Sequence, residues 1–157
     1  MKKFLAILLM VTLLVAVLPA GALAASKTTV YRVKTNGGNL NMRSGAGTKY
    51  AVTGSLVNGT AFTVTKKSGN WYKIKTLKNG RVGWISKNYT TTRAYALVDT
   101  NTKGLNIRKG PGTGYAILGS SPKGAKILAK YVQGNWAYVT YAGTSGWSSL
   151  TWLEWVH

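Results

Sequence analysis

The sequence predicts an all-β protein made of one small unit used twice, and three observations predict it. Leu40-Asn41-Met42-Arg43 alternates apolar and polar residues, the period of a strand with one buried face, and the pattern returns 65 positions later as Leu105-Asn106-Ile107-Arg108. Each copy then breaks at a glycine turn, Gly45-Ala46-Gly47-Thr48 and Gly110-Pro111-Gly112-Thr113. Glycine is expected there for backbone angles closed to other residues. Beyond the first two dozen residues, no stretch carries the apolar period of a helix.

The elements follow in order. In the first copy Thr29–Val33 reads as a strand, and the turn Thr35-Asn36-Gly37-Gly38-Asn39 leads into the Leu40 strand. Val52–Ser55 and Ala61–Thr65 are short strands parted by Val57-Asn58-Gly59. Lys67-Ser68-Gly69-Asn70 turns the chain into Trp71-Tyr72-Lys73-Ile74-Lys75. Asn79-Gly80 marks a hairpin, and Arg81–Tyr89 closes the unit. In the second copy Thr100-Asn101, Gly119-Ser120 and Gly134-Asn135-Trp136 keep the offset of 65. Gly146-Trp147 follows Gly83-Trp84 at 63, so the last hairpin is two residues shorter. These landmarks place one domain at residues 29–89, a linker at 90–94 and a second domain at 95–157. A linker so short and so poor in Gly and Pro should hold the two close together.

The first 24 residues do not read as part of this fold. Lys2 and Lys3 precede an apolar run, Phe4 to Leu18, interrupted by Thr12 and followed by Pro19-Ala20-Gly21-Ala22-Leu23-Ala24. This is the pattern of a signal peptide over residues 1–24, with cleavage expected between Ala24 and Ala25. The alternative is an uncleaved anchor, because the run is almost long enough to span a bilayer. After cleavage no transmembrane segment would remain, and the lack of a cysteine argues against a lipid-anchored precursor. The expected location is secreted and associated with the cell wall.

There is no cysteine in the 157 residues, so two units of about 60 residues must fold on core packing alone, near the lower limit for independent domains. Six Trp and nine Tyr supply much of the buried area. The charge is lopsided, with 21 Lys and Arg against two acids. Without Lys2 and Lys3 the net charge is +17. Such an excess works against compactness and implies an anionic partner, since ordinary soluble surfaces mix both signs. It is also uneven. Residues 27–93 hold 13 basic residues and no acid, whereas residues 94–157 hold six against Asp99 and Glu154.

Taken in order, Leu-Asn-Met/Ile-Arg-x-Gly-x-Gly-Thr, a further Gly, Gly-Asn-Trp-x-x-Ile/Val and Gly-Trp occur twice and cover nearly all of the chain after residue 24. This signature resembles the bacterial Src-homology-3-type (SH3b) domains of envelope proteins. The resemblance implies two tandem small SH3-like β-barrels, each of five or six strands and partly open, and a role in targeting a protein to peptidoglycan. Gly83-Trp84-Ile85-Ser86-Lys87-Asn88-Tyr89 is similar to the closing strand and short helical turn of the eukaryotic relatives. Lys87 departs from them near the proline-reading surface, which argues against proline-rich ligands.

Catalysis has little to work with. Without Cys there is no cysteine–histidine peptidase, and with His157 as the one histidine no zinc hydrolase can be assembled. A glycosidase needs two opposed carboxylates, and the chain offers only Asp99 and Glu154 in unrelated contexts. No enzyme, metal or cofactor is expected. The candidate binding residues are aromatic and basic. Ile74 and Val139 should look inward together with Tyr72, leaving Trp71, Lys73, Trp136 and Tyr138 on the other face. Trp71, Tyr72, Lys73, Trp136 and Tyr138 are taken as ligand contacts, and Tyr50 and Tyr115 as groove walls. Arg43 and Arg108 have two readings, bonding loop carbonyls around the glycine turn or touching ligand. Trp84 and Trp147 are expected in the core.

The expected function is thus non-catalytic binding of peptidoglycan and anionic wall polymers. Two alternatives remain, a cationic antimicrobial or toxin-like protein acting on other cells, and an envelope sensor whose domains only mediate protein contacts. Nucleic-acid binding shares the basic-aromatic composition, but export would make it unphysiological.

Overall fold

The computed structural model describes residues 25–156. The expected signal segment, and with it the bond between Ala24 and Ala25, falls outside the described residues. The first copy comprises β1 (Thr28–Val33), β2 (Leu40–Arg43), β3 (Val52–Leu56), β4 (Ala61–Ser68), β5 (Trp71–Thr76), β6 (Val82–Ser86), a 3-10 turn at Lys87–Tyr89 and β7 (Thr90–Thr91). The second comprises β8 (Ala94–Val98), β9 (Gly104–Arg108), β10 (Ile117–Pro122), β11 (Lys126–Gln133), β12 (Trp136–Tyr141), β13 (Thr144–Ser149), a 3-10 turn at Leu150–Trp152 and β14 (Leu153–Trp155). The protein is all-β, as the alternation in its sequence predicts.

Both copies use the same antiparallel pairing. β4, β5 and β6 form a meander, β2 joins β6 and β3, and β1 joins β4 and β7. In the second copy β11, β12 and β13 form the meander, β9 joins β13 and β10, and β8 joins β11 and β14. Alternation places Leu40 and Met42 with Val33, Leu56, Phe62, Ile74 and Ile85 in one core. It places Leu105 and Ile107 with Val98, Ile127, Ala129, Val139 and Leu153 in the other. Each fully buried residue of this size contributes roughly 1.5–3 kcal/mol, which is how a chain without disulfides holds units this small.

The copies are joined by more than a linker. The start of β1 leaves its own barrel and pairs with β11, Thr28 opposite Val132 and Thr29 opposite Tyr131. Val30 and Ala61 of the first copy belong to the core of the second. Part of the stretch expected as a linker is strand, with Thr90 and Thr91 opposite Val33 and Arg32. The Arg32 guanidinium donates to the Arg93 carbonyl at 2.6 Å.

The shortened hairpin between β12 and β13 pairs Tyr141 with Thr144, leaving Ala142 and Gly143 as its two-residue turn. Both have positive φ, +44° and +81°. A two-residue turn with both residues left-handed suits Asn-Gly, and alanine is strained there. Replacing Ala142 by asparagine should therefore raise stability by about 1 kcal/mol, read as a higher denaturation midpoint with unchanged slope.

Candidate functional site

Each copy carries a cleft at the same place in its barrel. In the first, the β1–β2 turn, the glycine turn after β2, the start of β5 and the 3-10 turn enclose about 600 Å³. Its lining includes Thr35, Asn36, Asn41, Arg43, Thr48, Trp71, Ser86 and Tyr89. In the second, Thr100, Asn101, Asn106, Arg108, Thr113, Trp136, Ser149 and Trp152 stand at the matching positions around about 270 Å³. The second cleft has Trp152 where the first has Tyr89. Trp152 is half-buried against the core, whereas Tyr89 is exposed.

The arginines do structural work at the cleft edge. Arg43 Nη1 donates to the carbonyls of Thr48 and Tyr50 at 3.0 and 2.8 Å. Arg108 Nη1 donates to the carbonyl of Tyr115 at 2.8 Å. Charge-assisted bonds of this kind pin the glycine turn and fix the guanidinium plane against the cleft. The loop-bonding reading therefore has its geometry, and both side chains also line the clefts.

The structure brings together Trp71 with Arg43, and Trp136 with Arg108, and sets the other candidates elsewhere. Tyr50 and Tyr115 line neither cleft. Each lies across its own glycine turn, so close that a Cβ on Gly45 or Gly110 would fall 2.5 Å from the ring. Gly45, Gly110 and Gly112 do not have positive φ. Room for the tyrosine, not backbone conformation, is why glycine stands at 45 and 110. Tyr72 packs on the first core and meets Tyr31 edge-on at 5.8 Å. Lys73 and Tyr138 face outward beside the clefts without lining them.

Trp84 and Trp147 do not sit in either core cluster. The glycine before each is the inward residue: Gly83 abuts Met42, and Gly146 abuts Ile107 and the Arg108 backbone. Trp147 is nevertheless only 4% exposed. It is covered from outside by Tyr138, edge-on at 5.5 Å, and by the Lys27 ammonium at 5.6 Å. Asn36, Asn101, Thr48, Thr113, Ser86 and Ser149 were missed as cleft residues. The recurrence of Thr-Asn at the same offset was the available signal.

Among the described residues no group of three or more His, Cys, Asp or Glu could hold a metal, and no helix is long and apolar enough to cross a membrane.

The chain is 29% identical over 119 residues to a Bacillus subtilis (strain 168) protein named as an N-acetylmuramoyl-L-alanine amidase, covering 70% of this chain and 23% of that protein. It is 41% identical over 56 residues to a Listeria innocua protein named as endopeptidase p60, covering 35% of this chain and 12% of that one. The chain thus spans less than a quarter of the length of either relative. Among solved structures it is similar to NlpC2 from Trichomonas vaginalis, with a TM-score of 0.46 at 15% identity over 84% of this chain and 49% of that one. The bacterial SH3 domain family matches residues 38–91 and again 103–154. The two spans together cover more than half of the chain and take in β2–β7 and β9–β13, and the chain belongs to the bacterial SH3 domain family.

Proposed function

We propose that the chain binds the bacterial cell wall without catalysing a reaction, taking short peptidoglycan peptides into its two clefts. The observation that carries this reading is the recurrence of one cleft in both barrels, with Trp, Arg, Asn and Thr at matched positions. A flat half-buried indole suits the small, extended backbone of a wall peptide. The asparagines and threonines offer donors and acceptors to its amides. Arg43 and Arg108 present a fixed positive charge to a peptide carboxylate. The two curated relatives carry names of wall-hydrolase type and share with this chain a part much smaller than themselves. That is consistent with a targeting module, and with a secreted, wall-associated location. The excess of basic residues adds attraction to anionic wall polymers.

The test is sedimentation with purified sacculi, before and after removal of their phosphate polymers, alongside a membrane-potential assay. Binding to stripped sacculi should persist, and Trp71→Ala with Trp136→Ala should weaken it about tenfold or more, in keeping with loss of a buried aromatic contact. An unchanged circular dichroism spectrum would show that the fold survives. Loss of membrane potential without wall binding would instead favour an antimicrobial role.

A further inference from the structure

The geometry points to a second site, separate from the clefts: the outer face of β4, β5 and β6 in the first barrel binds a linear phosphodiester polymer that carries no bases. The site is made by Lys66, Lys73, Lys75 and Trp84. It refines the wall-binding reading by assigning the polymer to one surface of one repeat.

The two barrels carry the same row of cross-strand neighbours with opposite chemistry. In the second barrel Tyr131, Tyr138, Trp147 and Arg108 stand side by side across β11, β12, β13 and β9. That row is closed. Its rings contact one another at 6.1 and 5.5 Å, Lys27 lies over Trp147, and Thr29 of β1 pairs beside Tyr131. In the first barrel the matching row is Lys66, Lys73, Trp84 and Arg43. That row is open. Among the described residues no strand pairs with the edge of β4 beyond Thr63, because β1 leaves there for the second barrel.

Lys66 and Lys73 are directly opposite each other on neighbouring strands, an arrangement that destabilises a sheet. Lys75 lies on the same face two residues on, roughly 7 Å along the strand. Among the described residues no carboxylate pairs with them. Residues 27–93 contain no acid, and the ion pair present among the described residues is Lys123 with Asp99 in the other barrel. An unrelieved line of ammonium groups around a half-buried indole has a use if a polyanion lies along it.

The chemistry of the row narrows the polyanion. Arg43, the one guanidinium in the row, is turned to the Thr48 and Tyr50 carbonyls, so the face offers point-charge ammonium groups. Lysine binds phosphate as a point charge without a fixed geometry, which suits the turning oxygens of a flexible phosphodiester chain; a polycarboxylate is the rival that the test below separates. Single-stranded nucleic acid needs a succession of exposed rings to stack its bases. Trp84 alone serves this row, as a floor for a carbon backbone.

The experiment uses the chain from Ala25 onward and three soluble probes: poly(glycerol phosphate), poly-glutamate and a single-stranded DNA homopolymer. Lys66→Gln/Lys73→Gln/Lys75→Gln should lose about tenfold or more in affinity for poly(glycerol phosphate) at low salt. The slope of log affinity against log salt should fall by about two, the equivalent of three contacts. A control of equal charge, Lys103→Gln/Lys109→Gln/Lys123→Gln, should stay within about twofold of the parent. Equal losses in both variants would overturn the site and leave net charge alone. DNA or poly-glutamate bound as tightly as poly(glycerol phosphate) would overturn the choice of polymer. Should the triple variant fold poorly, Lys66→Gln on the open edge makes the same comparison. Binding to stripped sacculi should be the same in parent and triple variant. If the parent itself fails to bind them, the cleft reading falls while the polymer comparison still decides this one.

Discussion

Gly146→Ala is expected to destabilise the protein by about 3 kcal/mol, at the upper end for an overpacked core. Gly146 lies in β13 where β9 crosses it, and an added Cβ would sit 2.5 Å from the Arg108 carbonyl oxygen and 2.7 Å from Ile107 Cγ2. The first of these is backbone, so relief requires β9 to move, and β9 carries Arg108 and one wall of the cleft. Gly83 is the matching residue in the first barrel, but there the nearest obstacle is the Met42 side chain, which can change rotamer, rather than backbone. Gly83→Ala should therefore cost less, about 1 kcal/mol. Denaturant unfolding of the two variants side by side measures the difference. Equal destabilisation would show that the Arg108 carbonyl yields as readily as a methionine.

Residues 94–157 produced alone should not fold cooperatively. The second barrel would lose the strand partner of β11 at Val132 and Tyr131, and with it Val30 and Ala61 from its core. Val30 is fully buried, so its loss alone removes roughly 1.5–3 kcal/mol from a unit with little to spare. The bared edge of β11 would also invite pairing between chains. The intact chain should melt in one transition, and fusing residues 25–34 by a flexible linker ahead of residue 94 should restore part of the fold. A fragment that unfolds as sharply as the parent, at the same midpoint, would show that the junction is incidental. Because the barrels lean on each other in this way, salt dependence of wall binding is best compared between charge variants of the whole chain.

Much of this architecture is legible in the residues. Alternation at Leu40–Arg43 and Leu105–Arg108 marks one buried face, and the fixed offset finds the remaining strands. What cannot be read is where β1 goes. Thr28 looks like the end of a polar lead-in and Thr29 like the start of an ordinary strand, and nothing local distinguishes a strand that pairs once from one that pairs in two barrels. The Gly-Trp dipeptide is only half legible: Trp147 is buried as expected, whereas Trp84 is partly exposed. Met42 and Ile107 fill the space behind that strand, so the glycine faces the core cluster and the ring lies on the other face, where Tyr138 and Lys27 bury Trp147 and Trp84 has no such cover among the described residues. Tyr50 and Tyr115 lie outside the two clefts for a related reason: the glycines beside them seat their rings on the turn. The clefts were half visible, since Trp71, Trp136, Arg43 and Arg108 follow from strand parity. Their polar walls come from turns whose positions periodicity does not set.

The path of β1 also bears on how the molecule comes into being. A chain is synthesised from its N-terminus, so β1 is the first of the strands to be made, while the segment it must reach in the second barrel, Tyr131 and Val132, comes about a hundred residues later. Contacts this distant in sequence form slowly, because the loop between them has to be ordered before pairing is rewarded. The first barrel can assemble on β4 and β7 as soon as residue 91 is available. The second then waits for its final strands and closes onto an edge already in place. The first barrel is thereby expected to act as the template on which the second completes its folding.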